Sequence, residues 1–151
     1  MYTTDSAFPI KILVIEDNSL YKKIIIDFLQ EDSCFKVIGE AKDGLTAIRL
    51  AKELKPDVII MNLGLPVMSG IEATIKIKEV DPSVKVIILT SHVNQDEAVE
   101  SLAAGATAYI NKDINIIHMK MIIETINKGA IWISPQVGQK ILSEGIKNYQ
   151  K

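Results

Sequence analysis

The chain is short of cysteine, aromatic residues, net charge and long apolar runs, and each shortage removes a class of protein. Its one cysteine, Cys34, cannot close an internal disulfide, so this is not a disulfide-stapled secreted scaffold. Its two histidines, His92 and His118, have no second His or Cys at ligand spacing and read as loop and helix-surface residues rather than a zinc site. With 17 Lys and Arg against 19 Asp and Glu, the formal net charge is −2, so the chain has no field for wrapping a polyanion and is not expected to bind nucleic acid itself. No apolar run approaches the roughly 18 residues of a membrane span. The start MYTTDSAFPIK lacks the charged and apolar regions of a signal peptide. A soluble cytoplasmic domain that touches no membrane is the expectation. What is present, 48% hydrophobic and 24% charged residues over 151 positions, suits one globular domain with a full core.

The apolar pattern alternates between two periods. Strand-length runs rich in Ile and Val occupy 10–15, 35–38, 57–61, 84–89 and 107–110, and three of them are nearly continuous in apolar residues, as strands covered on both faces must be. Between them lie segments of helical period at 19–31, 44–54, 70–80, 95–104 and 114–128. In the first of these, Leu20, Ile24 and Phe28 with Tyr21, Ile25 and Leu29 are expected to fill one broad buried face. Turn or cap residues stand at every joint, among them Asp17-Asn18-Ser19, Asp43-Gly44, Ser69-Gly70 and Gly105. Five repeats of strand and helix with short connections imply a parallel sheet covered on both faces, a doubly wound (βα)5 domain over 10–128 after a lead-in at 1–9. Residues 129–151 form an extension in which Ser134-Pro135 opens a short sixth helix and Gly145 stops it. Cys34 is expected to pack as a small apolar residue beside the second strand.

In an open parallel sheet, ligands bind beyond the carboxyl ends of the strands, where strand order reverses. There the sequence places Glu16 and Asp17 after the first strand, Asn62 after the third, Thr90 and Ser91 after the fourth, and Lys112 after the fifth. Two adjacent carboxylates suit Mg²⁺, and an amine with a hydroxyl opposite them suits phosphoryl oxygens. Spacing alone leaves a plainer reading open, in which Asp17 or Asn18 merely caps the next helix.

The segments KILVIEDN, PDVIIMNLGLPVMSGIEA, VKVIILTS and GATAYINKD, in that order, resemble the successive signatures of the receiver domain of bacterial two-component response regulators. The extension GAIWISPQVGQKIL resembles the stretch just after the receiver in LuxR/NarL-type DNA-binding regulators. The resemblance implies a flavodoxin-like fold with sheet order 2-1-3-4-5, and Mg²⁺-dependent phosphorylation of an aspartate by a sensor histidine kinase. On that reading Glu16 and Asp17 hold Mg²⁺ with the backbone carbonyl of Gly64, Lys112 pairs with a phosphoryl oxygen, Thr90 is the switch hydroxyl and Tyr109 the aromatic switch. It also implies homodimer surfaces at helices 1 and 5 or on the α4-β5-α5 face. DNA would be contacted only through an output domain, which this chain does not contain; a chain cut in the linker and a stand-alone receiver are both open.

One position departs from the pattern: Asn62 stands where the family has its phosphoacceptor aspartate. A neutral amide is a poor nucleophile, and no acyl phosphate forms on it. Its carbonyl can still join Glu16 and Asp17 around Mg²⁺, with lowered affinity, while its NH₂ can reach Asp17. The substitution is either an isolated, near-isosteric replacement, engineered or otherwise, that fixes the unphosphorylated state, or the mark of a pseudo-receiver acting as a phosphorylation-independent binding or dimerisation module. Hydrolysis of an external phosphoester is not expected, because Asn62 can serve neither as nucleophile nor as base.

Overall fold

In a computed structural model, which describes residues 8–149, the strands are β1 (Ile10–Ile15), β2 (Phe35–Ala41), β3 (Val58–Asn62), β4 (Lys85–Thr90) and β5 (Ala108–Asn111). The helices are α1 (Ser19–Gln30), α2 (Gly44–Leu54), α3 (Gly70–Val80), α4 (Gln95–Ala103), α5 (Ile116–Asn127) and α6 (Pro135–Tyr149). The strands form one parallel sheet in the order β2-β1-β3-β4-β5. That order is the flavodoxin-like one which the resemblance implies, and the continuous apolar runs of β1, β3 and β4 fit strands covered on both faces. Apart from Phe8 and Pro9, the expected lead-in at 1–9 lies outside the described residues.

Side-chain alternation splits the core into two layers. Leu13 and Ile15, Ile59 and Met61, and Val86 and Ile88 meet α2, α3 and α4 on one face. Ile12 and Val14, Val58 and Ile60, and Ile87 and Leu89 meet α1 and α5 on the other. The five helices of the repeat each begin at a polar cap. Asn18, Asp43, Ser69, Asn94 and Asn115 accept backbone N–H groups of the first turn, which fixes where each strand-to-helix loop ends.

Four expectations change. β2 does not end at residue 38 but runs to Ala41, with a register shift opposite Ile12 and Leu13. At this sheet edge only one side is paired, so Gly39 and Glu40 are tolerated in the strand and interrupt the apolar signal. On α1 the buried face is Ile25, Ile26 and Leu29, whereas Leu20 is 69% and Ile24 47% exposed. Cys34 lies in the α1–β2 turn and is exposed. The sixth helix is not short: it has 15 residues and passes through Gly145, since a glycine inside a helix costs only about 1 kcal/mol.

Candidate functional site

The sheet order makes β1 the reversal point, with β2 on one side and β3 on the other. The crevice beyond β1 and β3 therefore collects the residues at the carboxyl ends of both strands. Asn18 takes the helix cap, its side chain accepting from Tyr21 N at 2.9 Å. Asp17 is thereby released from capping and turned towards β3, where Asn62 Nδ2 donates to Asp17 Oδ1 at 2.9 Å. The amide assignment rests on that partner, since a carboxylate offers only acceptors.

Glu16 is buried, 2% exposed, and its two oxygens face different groups. Oε2 accepts from the backbone N–H of Asn18 at 3.0 Å. Oε1 has Lys112 Nζ at 2.7 Å, a contact of opposite charges without hydrogen-bond geometry, so this buried oxygen has no hydrogen-bond partner. The same ammonium lies 4.7 Å from the centre of the Tyr21 ring, a cation–π arrangement that holds Lys112 between a carboxylate and an aromatic face. Sequence reasoning missed this role of Tyr21, because an aromatic at helical spacing in α1 reads as core. Burial and the negative charges of Glu16 and Asp113 push the Tyr21 phenol up to about 12, so the ring stays neutral beside the ion pair.

Asp17 titrates below an ordinary aspartate. Partial burial works against its charge, but the hydrogen bond from Asn62, its own backbone and the positive charge of Lys112 more than offset that. Among the described residues no three His, Cys, Asp or Glu side chains cluster as a metal site. The remaining donors fit a small oxygen-seeking cation in part: Asp17, the carboxylate of Glu16 and the Gly64 carbonyl are of the right chemistry, although Lys112 already occupies Glu16 Oε1. Asn62 joins them only if its amide turns to present Oδ1 in place of Nδ2.

Thr90 ends β4 and Tyr109 lies within β5. Thr90 Oγ1 donates to the His92 carbonyl at 3.0 Å and accepts from His92 N at 3.2 Å, so its hydroxyl closes a local turn rather than reaching Asn62. Lys112 N donates to Thr90 O at 2.8 Å, which ties the ends of β4 and β5 together. Tyr109 is buried and its hydroxyl accepts from Asn94 N at 3.0 Å. Burial and the charge of Glu97 raise its pKa against the opposing bond from Asn94. Asn94, which caps α4 and anchors Tyr109 at once, is a second residue that sequence reasoning did not single out.

The loop from Leu63 to Ser69 carries backbone strain. Met68 N donates to Pro66 O at 2.7 Å across Val67, whose φ of 69° lies in the left-handed region. A β-branched side chain is poorly suited to that conformation, and this one is 95% exposed and gains no packing from it. Val67→Gly is expected to raise folding stability by about 1 kcal/mol in urea unfolding, the relieved strain exceeding the added chain entropy. A loss of stability would show that the turn is not strained.

Residues 12–124 match the response regulator receiver domain family. Among curated proteins, the chain is 37% identical over 134 residues to the transcriptional regulatory protein LiaR of Bacillus subtilis, covering 89% of this chain and 64% of LiaR. It is 33% identical over 141 residues to the response regulator GacA of Pseudomonas aeruginosa, covering 93% of this chain and 64% of GacA. The chain thus spans under two thirds of the length of these relatives. Among solved structures, a LuxR-family two-component response regulator from an Aurantimonas species superposes with a TM-score of 0.83 at 29% identity, covering 92% of this chain and 99% of that one. The receiver signature, the strand order and the polar residues gathered beyond β1, β3, β4 and β5 agree, and the chain belongs to the response regulator receiver domain family of two-component signalling proteins.

Proposed function

We propose that this chain is the receiver module of a LuxR/NarL-type DNA-binding regulator, working in the cytoplasm, in which Asn62 removes the phosphoacceptor and keeps the pocket unphosphorylated. One observation carries the reading: Asn62, at the position to which the resemblance assigns the acceptor, donates its amide to Asp17. A sensor histidine kinase is the partner this reading implies, Lys112 and Thr90 being of the right chemistry for phosphoryl oxygens once they leave their contacts with Glu16 and His92. Mg²⁺ would be held by Asp17, Glu16, the Gly64 carbonyl and a turned Asn62, more weakly than by three carboxylates, and would supply charge neutralisation at the pocket. The module is a signalling element rather than an enzyme, because Asn62 offers neither a nucleophile nor a base. DNA belongs to an output domain and not to this acidic chain.

A second reading, a pseudo-receiver that binds partners without phosphorylation, is favoured by the closed set of contacts. Asn62 with Asp17, and Glu16 with Lys112, pair the polar groups of the pocket without a ligand. Leu20 and Ile24 on α1 with Ile117 and Met121 on α5 leave apolar side chains exposed on that side of the sheet, which supports self-association there rather than on the α4-β5-α5 face.

The test is incubation with acetyl phosphate and Mg²⁺, read by intact mass. The chain with Asn62 is expected to gain nothing and Asn62→Asp to gain one phosphoryl group. An unmodified Asn62→Asp would remove position 62 as the acceptor, and phosphorylation of the Asn62 chain would overturn the unphosphorylated reading. Size-exclusion behaviour that is the same for both chains, with and without phosphodonor, would favour the pseudo-receiver.

A further inference from the structure

On the face of the sheet that carries α2, α3 and α4, the last two helices do not close on one another. An open groove of about 590 Å³ runs between them, with Ile71 and Ile75 of α3 on one side and Ala103 and Ala104 at the end of α4 on the other. Ile75 is 45% exposed, and the two alanines are too small to fill the space opposite it. Glu79 and Glu100 stand on the same groove, one from each wall, and both are exposed. Among the described residues the only cation lining it is Lys78. Its ammonium is committed to the α3–β4 turn, donating to Pro82 O at 2.7 Å and Val84 O at 2.8 Å. Lys76 stands one residue after Ile75, about 100° round the helix, and does not line the groove. α4 carries Asp96, Glu97 and Glu100 with no basic residue, and Asp96 is taken up by Lys140 at 3.3 Å. The groove is thus apolar along its floor and negative along its rims.

We propose that the α3–α4 groove is the docking site of a basic amphipathic helix carried by a partner protein. Charge chooses the sign of the occupant. Glu79 and Glu100 face it from the two walls with no uncommitted ammonium between them, so lysines or arginines flanking an apolar stripe are favoured and an acidic segment is repelled. Backbone chemistry chooses its conformation. Both walls are helices whose own backbone groups are bonded within each helix, so an extended segment finds no strand edge to pair with. A helix satisfies its own backbone, and apolar side chains at i, i+3 and i+4 match Ile71 and Ile75, which are themselves four residues apart. A second copy of this chain fits less well, because the cations beside its exposed apolar residues are already paired. Lys23, next to Leu20 and Ile24, pairs with Asp27; Arg49, one turn beyond Leu45, pairs with Glu53. The groove shares no lining residue with the pocket around Asp17 and Asn62, so the proposal stands whichever reading of Asn62 holds.

Titration of the full chain with a fluorescein-labelled Lys/Leu helical peptide of about 15 residues, its leucines spaced at i, i+3 and i+4, tests the proposal by fluorescence anisotropy and by amide resonances. Saturable binding is expected, with resonance shifts confined to α3 and α4, while a Glu/Leu peptide of the same pattern does not bind. Glu79→Lys with Glu100→Lys should weaken binding by about tenfold or more, and Ile75→Ser, at a half-exposed position that leaves the core intact, by several-fold. Glu31→Lys with Glu124→Lys changes the net charge equally on other surfaces and should weaken binding less than about twofold. Absence of binding would overturn the proposal, as would shifts centred on α1 and α5 or around Asn62. Equal weakening by the two charge-reversed pairs would also overturn it, since net charge rather than the groove would then attract the peptide. Sedimentation of the chain alone covers the remaining occupant: a dimer that Glu79→Lys with Glu100→Lys dissolves would give the groove to a second copy and overturn the partner helix.

Discussion

Lys112→Ala is expected to lower folding stability by about 3 kcal/mol, in the range for breaking a buried ion pair from one side. The reason lies with the partner left behind. Glu16 is 2% exposed, and without Lys112 it retains one backbone N–H, from Asn18, on one of its two oxygens. The other oxygen, already without a hydrogen-bond partner, would face a vacated space with no positive charge near it. The Tyr21 ring would lose the ammonium at its face, a contribution of about 1 kcal/mol. Glu16→Gln should cost less, because Lys112 reaches solvent more readily than Glu16 does: their side chains are 16% and 3% exposed. Removing both charges together, as Glu16→Gln with Lys112→Ala, is expected to recover at least half of the Lys112→Ala loss. Urea unfolding of the four chains supplies the cycle. If the double variant loses as much as the two single variants added, the two side chains do not act as a pair, and the placement of Lys112 against Glu16 is wrong.

Much of this could be read from residue order alone, for physical reasons that differ by element. β1, β3 and β4 are central strands, and burial on both faces writes itself as unbroken Ile and Val. β2 lies at the edge, so Gly39 and Glu40 carry no penalty and its second half is invisible to an apolar count. The roles of Glu16, Asp17, Asn62 and Lys112 as neighbours come from strand ends and sheet order, which require only the topology. Their pairing does not. That Asp17 turns to Asn62 depends on Asn18 taking the cap, and that Lys112 turns to Glu16 depends on the Tyr21 ring beneath it. Both are choices among side chains a few ångströms apart, and spacing cannot rank them. The extent of α6 is hidden for a different reason: Gly145 is a weak stop, and with no residue fixing a left-handed turn there the helix continues.

The second large effect is expected at a glycine that marks only a turn in the sequence. A Cβ on Gly70 would stand 2.6 Å from the backbone oxygen of Asn62 and 3.0 Å from Cα of Leu63. Neither neighbour is the end of a flexible side chain, so α3 or the end of β3 would have to move. Gly70 N also donates to Leu63 O at 2.7 Å, and Gly70 O accepts from Thr74 Oγ1 at 2.7 Å, so a shift of the helix start disturbs two further bonds. Gly70→Ala is therefore expected to cost about 2–3 kcal/mol, the overpacking and weakened hydrogen bonds exceeding alanine's better helix propensity. Gly64→Ala is the control: its Cβ meets nothing within 4 Å, and its effect should stay within about 0.5 kcal/mol. The displacement also has a local signature, because the backbone pressed upon belongs to Asn62 itself. Gly70→Ala should shift the amide resonances of Asn62, Leu63 and Gly64 and weaken the bond from Asn62 to Asp17, whereas Gly64→Ala should leave Asn62 and Asp17 in place. Equal stability for the two alanine variants, with unmoved resonances at Asn62, would mean that α3 approaches β3 less closely than these distances state, and that Gly70 is there for its turn alone.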